Sequence, residues 1–525
     1  MKRADASPVG MPAKTTFKKS PGGNVYVYLT LRAYRNAAGK PTSDEAAIGK
    51  LASDGVSLIP NQRYFEIFGT KHSVPESSVA FGDSATLWLI ADTLGVASCL
   101  KDATGGLASS VLLAASYMAL KGNVMCHIDN FCEESWTADS LSLDSPRTSE
   151  LFGALDFACR ASFFRRWIDR RKESEYIAYD VTSLSTYSGG IEDAEWGHNR
   201  DGEDLCQINL GMFFGEATHL PLYFETYQGS VLDKTHLAHI MASAHALGIE
   251  KSRFVFDRGF VSADNLAYVS DNHLSFVTAL PTSRKVAQVL IADATDHIHT
   301  SANRLEEQDI YAVSKQTRLD GLDLTSHIFY SPYKAAGEEE IIYGKLSRLE
   351  SELEKMVSAK KIAKCYRDFF DVSAQGGLVS FSKNHTKIDA CLARAGYFIL
   401  ITNDKNLDAL EALKIYRGKD VIEKAFCNMK NYLDFRRMRT HNGLTTDGKL
   451  FVGFIALILR CAIREALSSH KATEKMSVGV AMRDLRKLKR ITYSDGSVLH
   501  TAITKTQRQI LDALGIDIEA LLALP

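Results

Sequence analysis

The stretch from 176 to 281 constrains the fold more than any other part of the chain. YIAYDV (176–181), DLCQINLGMFF (204–214) and LPLYFETY (220–227) are apolar, β-rich runs of strand length. An amphipathic helix follows in DKTHLAHIMASAHALGI (233–249), then a strand in RFVFD (253–257), a short helix in ADNLAYVSD and a strand in LSFVTALP (274–281). Three strands, a helix, a strand, a short helix and a strand make a mixed α/β sheet with crossovers. Two of the strands lead into aspartates, Asp180 and Asp257. Side chains at the C-terminal ends of adjacent parallel strands converge on one crevice. Arg258-Gly259 follows the second aspartate, and the glycine permits a tight turn. Thr182, Ser183 and Ser185 follow the first, a small polar surround with room for ions and phosphates. A lone aspartate at a strand end is more often a turn former or helix cap, so the pair by itself does not define a chemistry.

At 525 residues the chain exceeds what one core supports, and its pattern changes along its length. Residues 1–75 read as a basic arm and a small β-rich unit. Through residue 71 there are 11 Lys/Arg against 5 Asp/Glu, and YVYLTLRAY alternates with period two. Residues 76–173 read as a helical region that ends in the basic run RRWIDRRK (165–172). The mixed sheet takes 174–281. Over 282–400 the order is interrupted by β-like pieces (SHIFYSPY, LVSFSKN, YFILITN) and a long charged helix, too much chain for a loop, so an inserted subdomain is expected. The core resumes over 401–470, and 471–525 forms a tail domain containing the basic MRDLRKLKR (482–490).

The net charge of −1, with 24% charged and 45% hydrophobic residues, excludes a protein whose whole surface coats nucleic acid and leaves room for local basic patches. The apolar runs LASSVLLAASYMAL (107–120) and FVGFIALIL (451–459) are too short to span a bilayer and read as buried helices, so no membrane is expected. The N-terminal segment lacks an apolar signal core and reads as a flexible arm. The 9 cysteines include no CxxC pair, and Cys126 and Cys132 beside His127 lack a second ligand pair at zinc spacing. Unpaired thiols fit a reducing cytosol.

The segment YRGKDVIEKAFCNMK (416–430) carries a further polar row. On a helix with Tyr416 at zero, Lys419 falls near about 300°, Glu423 near about 340° and Lys430 near about 320°. Ile415, Ile422, Ala425, Phe426, Met429 and Leu433 form an apolar stripe beside them at roughly 180–280°. The stripe fixes the helix against a core, and the polar row runs along the edge of that contact. Gly418 leaves open whether Tyr416 lies inside the helix.

Tyr416-x2-Lys419-x3-Glu423-x6-Lys430 resembles the Y-x2-R-x3-E-x6-K signature of DDE transposases from bacterial insertion sequences, in the RNase H-like superfamily. YDVTSLSTYS (179–188) and FVFDRGFVSADNL (254–266) resemble that family's two aspartate motifs. WGHNRDGEDLCQINLGM (196–212) is similar to its G-x-S/N-x-D-G…D-L-x-Q strand, LPLYFETYQGSVLDKTHL (220–237) to the next strand and helix, and GKLFVGFIALILRCAI to the closing helix. The likeness covers about 176 to 470 well and extends more weakly to the N-terminal unit and the C-terminal tail. It implies that the β-rich unit of 1–75 binds DNA and that the helical region of 76–173 serves DNA binding or dimerisation. It implies an RNase H-like mixed-sheet core with an inserted subdomain, in which Asp180, Asp257 and Glu423 are both the catalytic residues and the ligands of two Mg²⁺ ions, with Mn²⁺ as a substitute. Tyr416, Lys419 and Lys430 would hold phosphates, with Arg258, Arg436, Arg437 and Arg439 extending the DNA contact.

The implied activity is that of a DNA transposase. It would bind the terminal inverted repeats of an insertion sequence, cleave the element ends and join the 3′ ends to target DNA, as a homodimer in a synaptic complex. The setting would be the bacterial cytoplasm, beside the nucleoid. Lys419 stands where the signature has arginine, which keeps the charge and loses the bidentate fork. None of the four tryptophans lies in 282–400, so hairpin formation, if used, would fall to an aromatic such as Tyr330 or Tyr333. The alternatives are an inactive, repurposed DNA-binding protein of the same fold and a plain RNase H-like nuclease. Retention of all three carboxylates favours the enzyme over the first, and the extra domains argue against the second.

Overall fold

The computed structural model describes residues 8–20, 23–36, 39–68, 75–171, 176–249, 253–356, 363–375 and 378–525. Lys172 of the basic run and the first seven residues of the arm lie outside them. The first strands are β1 (Thr15–Lys19), β2 (Val25–Arg35), β3 (Pro41–Leu51) and β4 (Leu58–Pro60), which form one antiparallel sheet, and β5 (Pro75–Ala80). Val27, Leu29, Ile48 and Leu58 pack as its core.

The large sheet is built from β6 (Tyr176–Ser185), β7 (Gln207–Gly215), β8 (Pro221–Gln228), β9 (Arg253–Phe256), β10 (Ser275–Leu280), β11 (Arg304–Leu305), β12 (Ile310–Leu319), β13 (Leu322–Tyr330) and β16 (Tyr397–Thr402). Its order is β11-β12-β13-β16-β10-β9-β6-β7-β8. β6, β7 and β8 are antiparallel neighbours, and β9 runs parallel to both β6 and β10. Taking β6 as the first core strand, the core order is 3-2-1-4-5 with only the second strand reversed relative to the first, fourth and fifth. This is the RNase H-like arrangement. Helices cover the sheet, so β6 and β7 read as continuous apolar runs rather than alternating ones. Trp167, fully buried on the helix Phe157–Arg171, donates from Nε1 to the Pro221 carbonyl at 2.9 Å and ties that helix to the edge strand β8.

The helix Gly443–Ser469 runs through the core, with the whole of FVGFIALIL buried. Two of its glycines permit close approach. A Cβ at Gly448 would lie 2.0 Å from the Phe152 carbonyl oxygen, and one at Gly453 would lie 2.4 Å from Phe435 Cζ. The helix Ala108–Lys121 packs on it and contributes nine consecutive buried residues. By length and composition alone Val96–Lys121 is apolar enough to cross a membrane, but Gly105, at φ 57°, breaks it into two helices.

The stretch 282–400 does not form a single appendage. β11, β12 and β13 extend the core sheet through β16, which pairs with both β10 and β13. Within it, the long charged helix Pro332–Lys355, the hairpin of β14 (Phe370–Gln375) and β15 (Leu378–Lys383), and the helix His385–Leu392 gather a small core of their own around Leu346, Leu349, Leu353, Phe369, Phe370 and Ile388. SHIFYSPY and YFILITN read as isolated β pieces because their partners are each other, about 70 residues apart.

The described residues divide into two compact units. The larger, 84–133 with 137–482 and 509–525, holds the mixed sheet. The smaller joins 1–83, 134–136 and 483–508, so the tail expected over 471–525 is split, with only its middle in the unit of the N-terminal region. Within it β5 pairs with β17 (Lys489–Tyr493), which pairs with β18 (Val498–His500). Arg486 clamps this unit by bonding Asp83 at 3.2 Å, Glu134 at 3.1 Å and Ser135 Oγ at 3.1 Å.

Candidate active site

Asp180 is the one residue of β6 that is not fully buried, so the strand opens only there. The parallel register aligns Tyr179 of β6 with Phe256 of β9. One residue further on, Asp257 directly follows β9 beside Asp180, which lies in the middle of β6 rather than at a strand end as the apolar run YIAY suggests, because the strand continues through Ser185. Asp257 also caps the 3₁₀ turn Arg258–Phe260, its Oδ1 accepting from Arg258 N at 2.9 Å. Burial is the main force pushing the Asp180 carboxyl up to about 6, and the Asp257 charge adds to it. The bond from Val181 N and the Arg200 and Lys419 charges only partly oppose that rise. Asp180 is thus a carboxylate short of positive charge.

Tyr416 lies inside the helix Ala409–Gly418, so its angle is well defined. Gly418 does not mark a helix start. A Cβ there would lie 2.1 Å from Glu216 Oε1, so glycine makes room for that carboxylate. Lys419 joins this helix to Asp420–Cys427 with right-handed helical angles, φ −58° and ψ −16°, which keeps Tyr416, Lys419 and Glu423 on one side. Tyr416 donates its hydroxyl to Asp257 Oδ1 at 3.0 Å. Burial, then the Asp257 charge, raises the pKa of this phenol, so it remains a donor.

Lys419 Nζ lies 2.8 Å from Glu423 Oε1 and 3.9 Å from Asp257 Oδ1, with its side chain only 14% exposed. Burial pulls its pKa down, but Glu423, Asp257 and Asp180 outweigh that and the net shift is upward. Beneath the polar row Ile422, Ala425, Phe426, Met429 and Leu433 are buried, as the stripe requires. Of the two lysines nearest Glu423 in sequence, Lys419 binds it and Lys424 pairs instead with Asp420.

The row does not continue to Lys430 as a uniform helix. Asn428–Tyr432 is a π-helical turn, which shifts the angular phase after Cys427. Lys430 is seated on Asp201 Oδ2 at 2.6 Å. The three arginines placed on the same track also hold protein partners. Arg436 donates to Asn431 Oδ1 at 2.7 Å, Arg437 pairs with Glu203 and lies over the Tyr187 ring, and Arg439 pairs with Asp434 and donates to Asn123 Oδ1 at 3.0 Å. Arg258 is exposed beside Asp257.

The site therefore unites Asp180, Asp257, Glu423, Tyr416 and Lys419, whereas Lys430 and the three arginines are tied to nearby acids and amides. In the run RRWIDRRK, Trp167 is core, and Arg170 and Arg171 donate to the Leu94 carbonyl at 2.9 and 3.3 Å. Of the two aromatics named for a hairpin, Tyr330 packs against Tyr397 and His299, and Tyr333 is 93% exposed.

Residue-by-residue reading missed the acids of the loop between β6 and β7. Asp201 and Glu203 supply the partners of Lys430 and Arg437, and Arg200 pairs with Asp233 while adding its charge near Asp180. Their signal lay in the Asn-x-Asp-Gly pattern. Asn199 donates to Ser185 Oγ at 3.0 Å and accepts from Asp201 N at 2.9 Å, which fixes the loop beside β6.

The donor set suits a hard divalent cation: three carboxylates, one of them undercompensated. As the side chains stand, no three acidic, histidine or cysteine groups among the described residues close on a metal position, and the Lys419 ammonium is 2.8 Å from Glu423 and 3.9 Å from Asp257.

No curated protein matches the sequence. Two solved structures are among its structural matches. A piggyBac transposase synaptic complex with hairpin DNA covers 72% of this chain and 79% of its own, at 10% identity and a TM-score of 0.34. A Mos1 transposase paired-end complex with left transposon end covers 45% and 73%, at 10% identity and a TM-score of 0.16. The family model for the transposase DDE domain matches residues 171–459, more than half of the chain and the span that carries both aspartates and Glu423. The chain belongs to the DDE transposase family.

Proposed function

We propose that this transposase is catalytically active. It binds the terminal inverted repeats of a bacterial insertion sequence, cleaves DNA at the element ends and joins the 3′ ends to target DNA, as a homodimer that pairs two ends. The observation that carries this reading is the joint placement of Asp180 on β6 and Asp257 just after the parallel β9, with Glu423 linked to Asp257 through Lys419. Neither a binding protein nor a structural domain needs an undercompensated carboxylate at that position.

Asp180, Asp257 and Glu423 would hold two divalent cations, Mg²⁺ or Mn²⁺, which would supply an activated oxygen nucleophile, a stabilised leaving oxygen and neutralised phosphate charge. In the first step water attacks the phosphorus at the element end and the 3′ oxygen leaves. In the second, that freed 3′ hydroxyl attacks a target phosphodiester and the target's own 3′ oxygen leaves. Tyr416 keeps Asp257 oriented through its hydroxyl, and Lys419, with Lys430, Arg258, Arg436, Arg437 and Arg439, supplies positive charge for the DNA backbone.

Glu423→Gln tests the assignment. The variant should bind repeat-end DNA nearly as well as the parent and fail to nick it in Mg²⁺. Nicking retained at the parental rate would remove Glu423 from the site.

A further inference from the structure

We infer that Lys419 is the resident counter-ion of the carboxylate site, displaced by an entering divalent cation and thereby released to a DNA phosphate, so that it couples cation binding to DNA binding. The inference rests on the proposed active site and adds an order of events to it. Its basis is geometric. The ammonium hydrogen-bonds Glu423 Oε1 at 2.8 Å, lies 3.9 Å from Asp257 Oδ1 and stands 5.5 Å from the centre of the Tyr416 ring. A Mg²⁺ ion ligated by both of those oxygens at about 2.1 Å would take the place the ammonium now holds between them, and its charge would repel the ammonium.

Water reaches the Glu423 end of the pair, which is 56% exposed, and screens its hold on the 14% exposed lysine. The lysine stem emerges at the joint between two helices, so the head can swing without unwinding either one. Once displaced, the ammonium is a buried-stemmed cation without its carboxylate, beside the site where a scissile phosphate would lie. Cation entry therefore creates a phosphate site, and by reciprocity DNA binding draws the cation in. Lysine suits this exchange: its compact, rotatable head trades one oxygen for another, whereas a guanidinium fork would hold a carboxylate with two bonds.

The test uses the full-length, DNA-free protein titrated with Mn²⁺, with free Mn²⁺ read by electron paramagnetic resonance. Lys419→Gln should bind Mn²⁺ about fivefold tighter than the parent, about 1 kcal/mol at about 1.4 kcal/mol per tenfold. Lys419→Arg, which keeps the charge, should bind no tighter than the parent. Asp257→Asn and Glu423→Gln should lose the site in either background. A second measurement follows the affinity of the parent for a short labelled duplex with and without Ca²⁺. Ca²⁺ should tighten binding in the parent, and that gain should vanish in Lys419→Gln.

If Lys419→Gln leaves Mn²⁺ affinity unchanged or weaker while Glu423→Gln abolishes it, the counter-ion role is overturned and the active site stands. If Glu423→Gln and Asp257→Asn leave Mn²⁺ binding intact, both readings fall. Should Lys419→Gln not fold, the duplex measurement on the parent still decides, since absence of a Ca²⁺-dependent gain refutes the coupling.

Discussion

Asp180→Asn should stabilise the cation-free protein, and by an amount that depends on pH. The folded carboxyl is pushed from 3.8 up to about 6, first by burial and then by the charge of Asp257. A carboxyl with a raised pKa binds its proton more tightly in the folded chain than in the unfolded one. Its contribution to stability is therefore fully present below about pH 4 and is lost as pH rises through about 6. The shift is about two units, worth about 3 kcal/mol at about 1.4 kcal/mol per unit. Asparagine keeps an oxygen that can accept from Val181 N, as Asp180 Oδ1 does at 2.8 Å, and carries no charge to desolvate.

Urea denaturation from pH 4 to pH 8 should show the variant little different from the parent at pH 4. It should become up to about 3 kcal/mol more stable by pH 7, with the gap flat above that. Mn²⁺ should close the gap by stabilising the parent through binding to its folded state. A gap equal at pH 4.5 and pH 8, or no gap at all, would show that Asp180 is not held undercompensated.

Asp201→Asn should release Lys430 from its 2.6 Å bridge, tighten DNA binding severalfold and steepen the salt dependence by about one phosphate contact. Lys430→Ala should do the reverse, and salt slopes identical to the parent's would exclude Lys430 as a phosphate contact. Gly448→Val should cost about 1–3 kcal/mol or more by overpacking, because the added carbons meet the Phe152 carbonyl, and an unshifted urea midpoint would contradict that packing.

Much of this site is legible in the sequence because local signals carry it. Asp257 follows its short apolar strand as the sequence suggests, whereas Asp180 sits in the middle of one that runs on through Ser185, and the shared parallel register brings the two side by side. Glu423 is fixed by the stripe beneath it, which needs only the helical repeat. What escapes is what depends on distant partners or on an irregular backbone. The π turn at Asn428–Tyr432 breaks the 100° step that placed Lys430 in the row, and no residue type announces it. Asp201 and Glu203 look like loop acids until folding brings them to Lys430 and Arg437, more than 200 residues away. SHIFYSPY and YFILITN looked detached because a strand's own pattern does not say which strand it lies beside.

The pairing of β5 with β17 also bears on synthesis. PESSVA emerges from the ribosome about 400 residues before KRITY. At roughly 5–20 residues per second its sheet partner arrives some 20–80 seconds later. Among the described residues β17 is the only strand paired with β5, whose last residue, Ala80, is otherwise bridged to Ser135, so through that interval the rest of the β5 edge is unpaired and its sheet cannot close. The mixed sheet, complete by residue 402, can assemble meanwhile. Nascent chains stalled before residue 489 should therefore carry a folded catalytic sheet and a protease-sensitive N-terminal region, so maturation of the smaller unit times the appearance of the finished protein.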